Sequence, residues 1–248
     1  MSKKYWEFKN KTSTEADLYL YIQIASWGGG YAAHSARSFK QELDNLGDLD
    51  TLNIYINSPG GEVFEGNAIM NMLKRKKYTK NVYIDGLAAS IASVIAMAGD
   101  KIIMPSNSMM MIHNAWTYAA GNSHELRKLA DDLDKLNTSI RQVYLDKAGD
   151  KLDEETLTIL MDNETWLTAQ ECYDYGLCDK VEENKNVAAK YDLNTLGNYK
   201  NTPVSYVLTQ AKVNEKVNEK VNDTIENKEP KFNIEAEKRA ILEDLDLI

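Results

Sequence analysis

Cysteine is nearly absent from this chain: Cys172 and Cys178 are the only two among 248 residues. Two cysteines make no disulfide framework, and these two do not form a metal-ligand pattern. Positive charge is also scarce. The net charge is −9, and Lys74-Arg75-Lys76-Lys77 is the longest basic run, which argues against a nucleic-acid surface. Those cations fall at the end of an expected helix, where they favour its dipole. No apolar run approaches the length of a membrane span, and the stretch from Met1 to Phe8 lacks the apolar core of a signal peptide. Gly28-Gly29-Gly30 is not followed by Gly-Lys-Ser/Thr, so it reads as a turn, not a phosphate loop. A Gly-x-Ser-x-Gly elbow is missing too. The expectation is a soluble protein of a reducing, cytoplasmic setting, with no nucleic acid, membrane, metal or cofactor.

The chain does have enough apolar residues, 43%, to bury the core of one large domain. Leu18–Ile24, Thr51–Ile56 and Asn81–Asp85 read as strands. Between them, Ala36, Phe39, Leu43 and Leu46 recur at helical spacing, as do Ala68, Ile69, Met72 and Leu73. His34, near the start of the first of these helices, reads as a surface or capping residue. Ile91–Ala98 is apolar all round and suits a buried helix. This β-α-β-α-β-α order predicts a largely parallel α/β sheet. Two short apolar runs follow, 101–104 and 108–113. The longest helix is expected from Asn122, paired with Glu125 in a reciprocal cap, to about Gly149. Its apolar positions Leu126, Leu129, Leu133, Leu136, Ile140 and Val143 step by three and four. So narrow a seam suits contact with another helix, in its own domain or in a partner subunit. Asp153 is placed to cap one further helix, and Thr168 with Glu171 another. A last strand is expected over Leu177–Val181.

Beyond residue 184, Asn, Lys and Glu dominate, and Lys212-Val213-Asn214-Glu215 begins a repeat that runs to Asp223. One valine in four residues does not offset the entropy of ordering, so this part reads as a polar tail. Spacing of Ile234, Ile241 and Leu245 allows a marginal helix near its end.

Ser90 and His113 carry the candidate chemistry. Ser90 falls between an expected strand and a buried helix, near unpaired amide groups and the positive end of the helix dipole. There it serves either as a helix cap or as a nucleophile whose oxyanion those amides would stabilise. His113 ends an apolar run, as a strand-end histidine or as the base. An acid further along would give the order Ser, His, Asp/Glu, unlike the orders of chymotrypsin, subtilisin or the α/β-hydrolases.

Four blocks in register resemble the ClpP family of serine peptidases within the crotonase-like fold: Ile56–Gly61, Gly86–Ser90, Met111–His113 and Trp166–Asp179. The resemblance covers roughly residues 15–182. It implies an α/β fold of repeated β-β-α units in a spiral, with a projecting long helix and, in this chain, a polar tail. It also implies Ser90 as nucleophile, His113 as base, and the Gly61 and Ile91 amides as oxyanion donors, with Gly60 as the alternative. Where the family carries an aspartate, this chain has Glu164; Asp162 is the alternative acid. Residues 1–14 show no match to the loops by which ClpP engages its unfoldase. The domain reading is therefore an N-terminal segment 1–14, a peptidase domain 15–183 and a tail 184–248. Ser26-Trp27-Gly28, Glu164-Thr165-Trp166 and the tail most resemble the ClpP-related head maturation proteases of tailed phages. That likeness implies ATP-independent cleavage of scaffold or capsid proteins in the host cytoplasm or within the prohead; the wider resemblance to ClpP implies homo-oligomers in rings of seven that stack through the long helix. The competing readings are an acyl-CoA hydratase or isomerase of the same fold and a non-catalytic assembly factor.

Overall fold

In the computed structural model, residues 4–25, 35–183 and 199–203 are described. The Gly28–Gly30 turn, His34, the repeats at 212–223 and the stretch 234–247 lie outside them. All described residues belong to one unit spanning 1–203, and a second unit, 204–248, contains none.

The sheet grows from its most apolar strands. In β3 (Thr51–Ser58) and β4 (Thr79–Ala89), Leu52, Ile54, Ile56, Val82 and Ile84 are fully buried. On the opposite face, Tyr19, Tyr55 and Tyr83 occupy matched positions of β2 (Glu15–Leu20), β3 and β4. Their rings stack at 4.9 and 5.1 Å. Such cross-strand pairs fix register, because a slip of one residue would move each ring to the core face. Strands β2, β3, β4, β5 (Lys101–Pro105) and β8 (Lys180–Glu182) run parallel in that order. The helices α1 (Ala36–Asn45), α2 (Val63–Lys74) and α3 (Ile91–Ala96) fall in the crossovers between β2 and β5. Gly66 lets α2 and α3 approach closely; a Cβ there would lie 2.2 Å from Ile91 Cγ1.

At 11 residues, β4 is long enough to serve two neighbours on one edge. Asn81–Tyr83 pair with β5, and Leu87–Ala89 pair with β6 (Met109–Ile112). The other edge of β6 takes β7 (Thr165–Thr168) antiparallel. A second small apolar cluster of Leu87, Ala89 and Met111 forms there, against Trp166 and Tyr199.

The long helix α4 runs Ser123–Ala148. Asn122 accepts from the amides of His124 and Glu125, and Glu125 accepts from the Asn122 amide, as the spacing predicts. Its seam is covered only toward its C-terminal end: Ile140 is buried, but Leu126 is 43% exposed, and Leu129, Leu133 and Leu136 are half-buried. Helices α5 (Glu154–Asp162) and α6 (Ala169–Asp174) begin at their expected caps, Asp153 and Thr168. Among the described residues no helix is long and apolar enough to cross a membrane.

Three sequence readings need correction. The first expected strand starts and ends earlier, as β2 over Glu15–Leu20, and its last ladder pair is Leu20 with Ile56. From there the chain is held by Ser58 Oγ donating to Ile22 O at 2.8 Å and by a single bridge from Ile24 to Gly61. Residues 4–10 are not a separate segment: Tyr5 and Trp6 are buried in the core, and β1 (Glu7–Asn10) pairs antiparallel with β2. Residues 199–203, which composition assigns to the tail, belong to the folded unit.

Candidate active site

Strand ends assemble this site. Ala89 of β4 is level with Met111 of β6, so the next residue, Ser90, emerges beside the end of β6. Ile112 of β6 is level with Thr165 of β7 in an antiparallel pair. One step further brings His113 level with Glu164. Residues far apart in sequence thus become neighbours through register alone.

Ser90 occupies the turn from β4 into α3 with φ 54° and ψ −130°, a backbone region that L-residues rarely adopt. The surroundings hold it there. Its amide donates to Met111 O at 2.9 Å, and its carbonyl accepts from the Ser93 amide at 2.9 Å. Ser93 Oγ adds a second bond to the same carbonyl, at 2.5 Å. Since the single Ser93 hydroxyl proton goes to a carbonyl, the fully buried Tyr144 of α4 is the donor in its 2.7 Å contact with Ser93 Oγ. The Ser90 side chain makes no capping bond. Instead its Oγ lies 2.7 Å from His113 Nε2.

Burial pushes the His113 imidazole below its ordinary value of 6.5, and the nearby Glu164 charge opposes that shift. A neutral imidazole is the form that accepts a proton. Glu164 is the second non-glycine residue at positive φ, 48°. Its carboxylate faces His113 electrostatically, but its Oε1 accepts a 2.7 Å hydrogen bond from the Asn201 amide. The alternative acid, Asp162, is exposed and accepts from Asn114 Nδ2 at 2.6 Å.

Beside Ser90 lies the turn after β3. The Gly60 amide is engaged, donating to Ser58 Oγ at 3.1 Å. No hydrogen bond among the described residues uses the amides of Gly61 or Ile91. Gly61 has φ 148°, and a Cβ on it would fall 1.8 Å from Ile24 O, so only glycine fits. The cleft, about 540 Å³, is bordered by Ser90, His113, Gly61, Trp116 and Tyr199. The arrangement offers a hydroxyl beside a neutral imidazole, with two free amides on the turns that flank it. That set can carry out acyl transfer.

The family model described as Clp protease matches residues 33–185. The chain belongs to the Clp protease family. It is 38% identical over 146 residues, 58% of its own length and 73% of the relative's, to the ATP-dependent Clp protease proteolytic subunit of Ligilactobacillus salivarius. Subunits of the same description from two strains of Bacteroides fragilis are 31% identical over 154 residues, 61% of this chain and 73% or 69% of the relative.

Sequence reasoning missed Ser93, Tyr144 and Tyr199. Tyr144 lies one residue after Val143, the last position of the α4 seam, and its burial was readable only as packing. Tyr199 stands next to His113 and Trp166, at ring separations of 5.4 and 6.0 Å, and gave no signal except as a lone aromatic in a polar stretch. Burial pushes its phenol up to about 12, so at neutral pH it is a hydroxyl that donates.

Tyr144→Phe removes the donor to Ser93 while leaving the ring in place. We expect a loss of about 1 kcal/mol, read as a lower urea midpoint with an unchanged slope. An unchanged midpoint would mean that the hydroxyl adds nothing to holding α4 on α3.

Proposed function

We propose that this chain is a serine endopeptidase. The observation that carries the reading is the 2.7 Å contact of Ser90 Oγ with His113 Nε2 beside the free amides of Gly61 and Ile91. Ser90 Oγ attacks a peptide carbonyl as His113 Nε2 takes its proton. The oxyanion is received by the Gly61 and Ile91 amides, and His113 then returns the proton to the departing amine. Water, deprotonated by the same imidazole, hydrolyses the acyl-enzyme. Glu164 steadies the imidazolium. The hydratase reading lacks support, because such enzymes generally work through carboxylates with an oxyanion hole, and here the oxyanion donors flank a serine–histidine pair.

Within this class, we infer an ATP-independent enzyme acting on scaffold or capsid proteins during phage head maturation, in the cytoplasm of the host. The curated relatives are described as ATP-dependent. Against that use here, Tyr5 and Trp6 are buried and residues 7–10 are paired into the sheet, so they are not presented as docking loops. The head-maturation reading rests on the resemblance of Glu164-Thr165-Trp166, the Ser26-Trp27-Gly28 loop and the tail to such proteases. For assembly, the half-bare seam of α4 favours rings that stack through these helices, and the resemblance to ClpP implies seven subunits in each.

Without ATP, the wild-type chain should cleave an unfolded protein such as casein. Ser90→Ala and His113→Ala should each leave less than about one thousandth of the turnover, and the double variant should be no worse than either. Substantial turnover by Ser90→Ala would refute the mechanism.

A second test separates the two acids. Since the His113 pKa is lowered, the acid limb of kcat/KM should lie below pH 6.5. Glu164→Gln removes a charge that raises this pKa, so the limb should move further down while turnover falls about 10²–10⁴-fold. Asp162→Asn should do neither. The opposite ranking would make Asp162 the acid.

A third test addresses the seam. Leu133→Asp with Leu136→Asp would bury unpaired charge between stacked rings and should halve the particle mass in light scattering. Unchanged mass would confine the seam to its own subunit.

A further inference from the structure

Composition places Tyr199-Lys200-Asn201 in a polar tail, yet these residues lie across the catalytic cleft. The Tyr199 hydroxyl donates to Pro59 O, on the turn that carries the Gly61 amide. It lines the same cleft as Ser90. Its ring sits edge-on to His113 and to Trp166, with interplanar angles of 84° and 78°. Two residues on, the Asn201 amide donates to Glu164 Oε1 and Asn201 Nδ2 donates to Asn163 O, both at 2.7 Å. Tyr199 borders the cleft on the Ser90 side, while Lys200 and Asn201 border an adjoining one of about 370 Å³ on the Glu164 side. His113 and Trp116 border both.

Two of these contacts engage groups that the peptidase reading needs, the ring on His113 and the Asn201 amide on Glu164. A phenol stands at the nucleophile, where a scissile carbonyl has to enter. A main-chain amide takes an oxygen of the acid that would otherwise support the imidazole. The pose is not that of a substrate about to be cut, because it is the Tyr199 side chain, stacked edge-on to His113, that borders the cleft beside Ser90.

We propose that Pro59, His113, Asn163, Glu164 and Trp166 form a subsite for a tyrosine followed two residues later by asparagine, and that this chain's own Tyr199-Lys200-Asn201 fills it in cis and occludes Ser90. The inhibitory part rests on the serine peptidase reading; the docking part does not. Substrate must displace this strap, so the apparent affinity is reduced by the fraction of molecules in which the strap is open.

The test compares the full-length wild-type chain with full-length Tyr199→Ala on a fluorogenic peptide. With the strap closed in about nine molecules of ten, the variant should show KM lowered about tenfold with kcat unchanged. The free peptide Tyr-Lys-Asn-Thr-Pro should then compete in the variant. An equal KM, or a raised one as expected if Tyr199 is merely a wall of the substrate pocket, would overturn the occlusion. Hydrogen exchange provides a readout independent of activity. The Asn201 amide should be protected in the wild-type chain and lose protection in Tyr199→Ala; an unprotected Asn201 in wild type overturns the docking. If neither chain cleaves the peptide, the peptidase reading fails and the exchange result still decides the docking.

Discussion

Pairing of β6 on both edges is the constraint from which the site follows. On one side it runs parallel to the last residues of β4, and on the other antiparallel to β7. Because strand side chains alternate with period two, register decides which residues emerge together at the strand ends. Here it delivers Ser90, His113 and Glu164 to one place. The length of β4 matters equally. Its first half is occupied by β5, so only a strand reaching well past that contact can also offer an edge to β6.

A site built this way can hold backbone that would not persist in a loop. Ser90 and Glu164 are the two non-glycine residues at positive φ among those described, and both follow or precede a strand whose pairing leaves them little choice. Strain of this kind costs on the order of 1–3 kcal/mol each and survives only where neighbours over-determine it. At Ser90 those neighbours are Met111, Ser93 and, through Ser93, Tyr144 of α4. The long helix is thereby tied to Ser90 near its C-terminal end, while its other end leaves apolar residues uncovered.

Much of this was legible where the determinants are local. The caps at Asn122, Asp153 and Thr168 are set by residues three apart, and each helix begins where its cap predicts. The Ser90 and His113 positions stood out because each lies at an end of a regular element, Ser90 at the junction of strand and buried helix and His113 at the end of an apolar run. What escaped depends on distant partners. Strand β7 has only the four residues Thr165-Trp166-Leu167-Thr168, and its pairing with β6 defines it. Strand β1 has one apolar residue, Phe8, among Glu7, Lys9 and Asn10, so it looks like a charged leader until β2 offers an edge. Tyr199 was hidden for a related reason. Averaged composition describes a segment, whereas docking needs only one ring and two amides at the right spacing.

Whether Ser90 is a nucleophile activated by His113 is measured directly by a covalent adduct. The full-length chain treated with a fluorophosphonate and digested for mass spectrometry should carry the adduct on the peptide containing Ser90. Labelling should be lost in His113→Ala although the serine remains. No adduct, or one equally formed in His113→Ala, would contradict the account and favour a Clp-type fold kept for assembly alone.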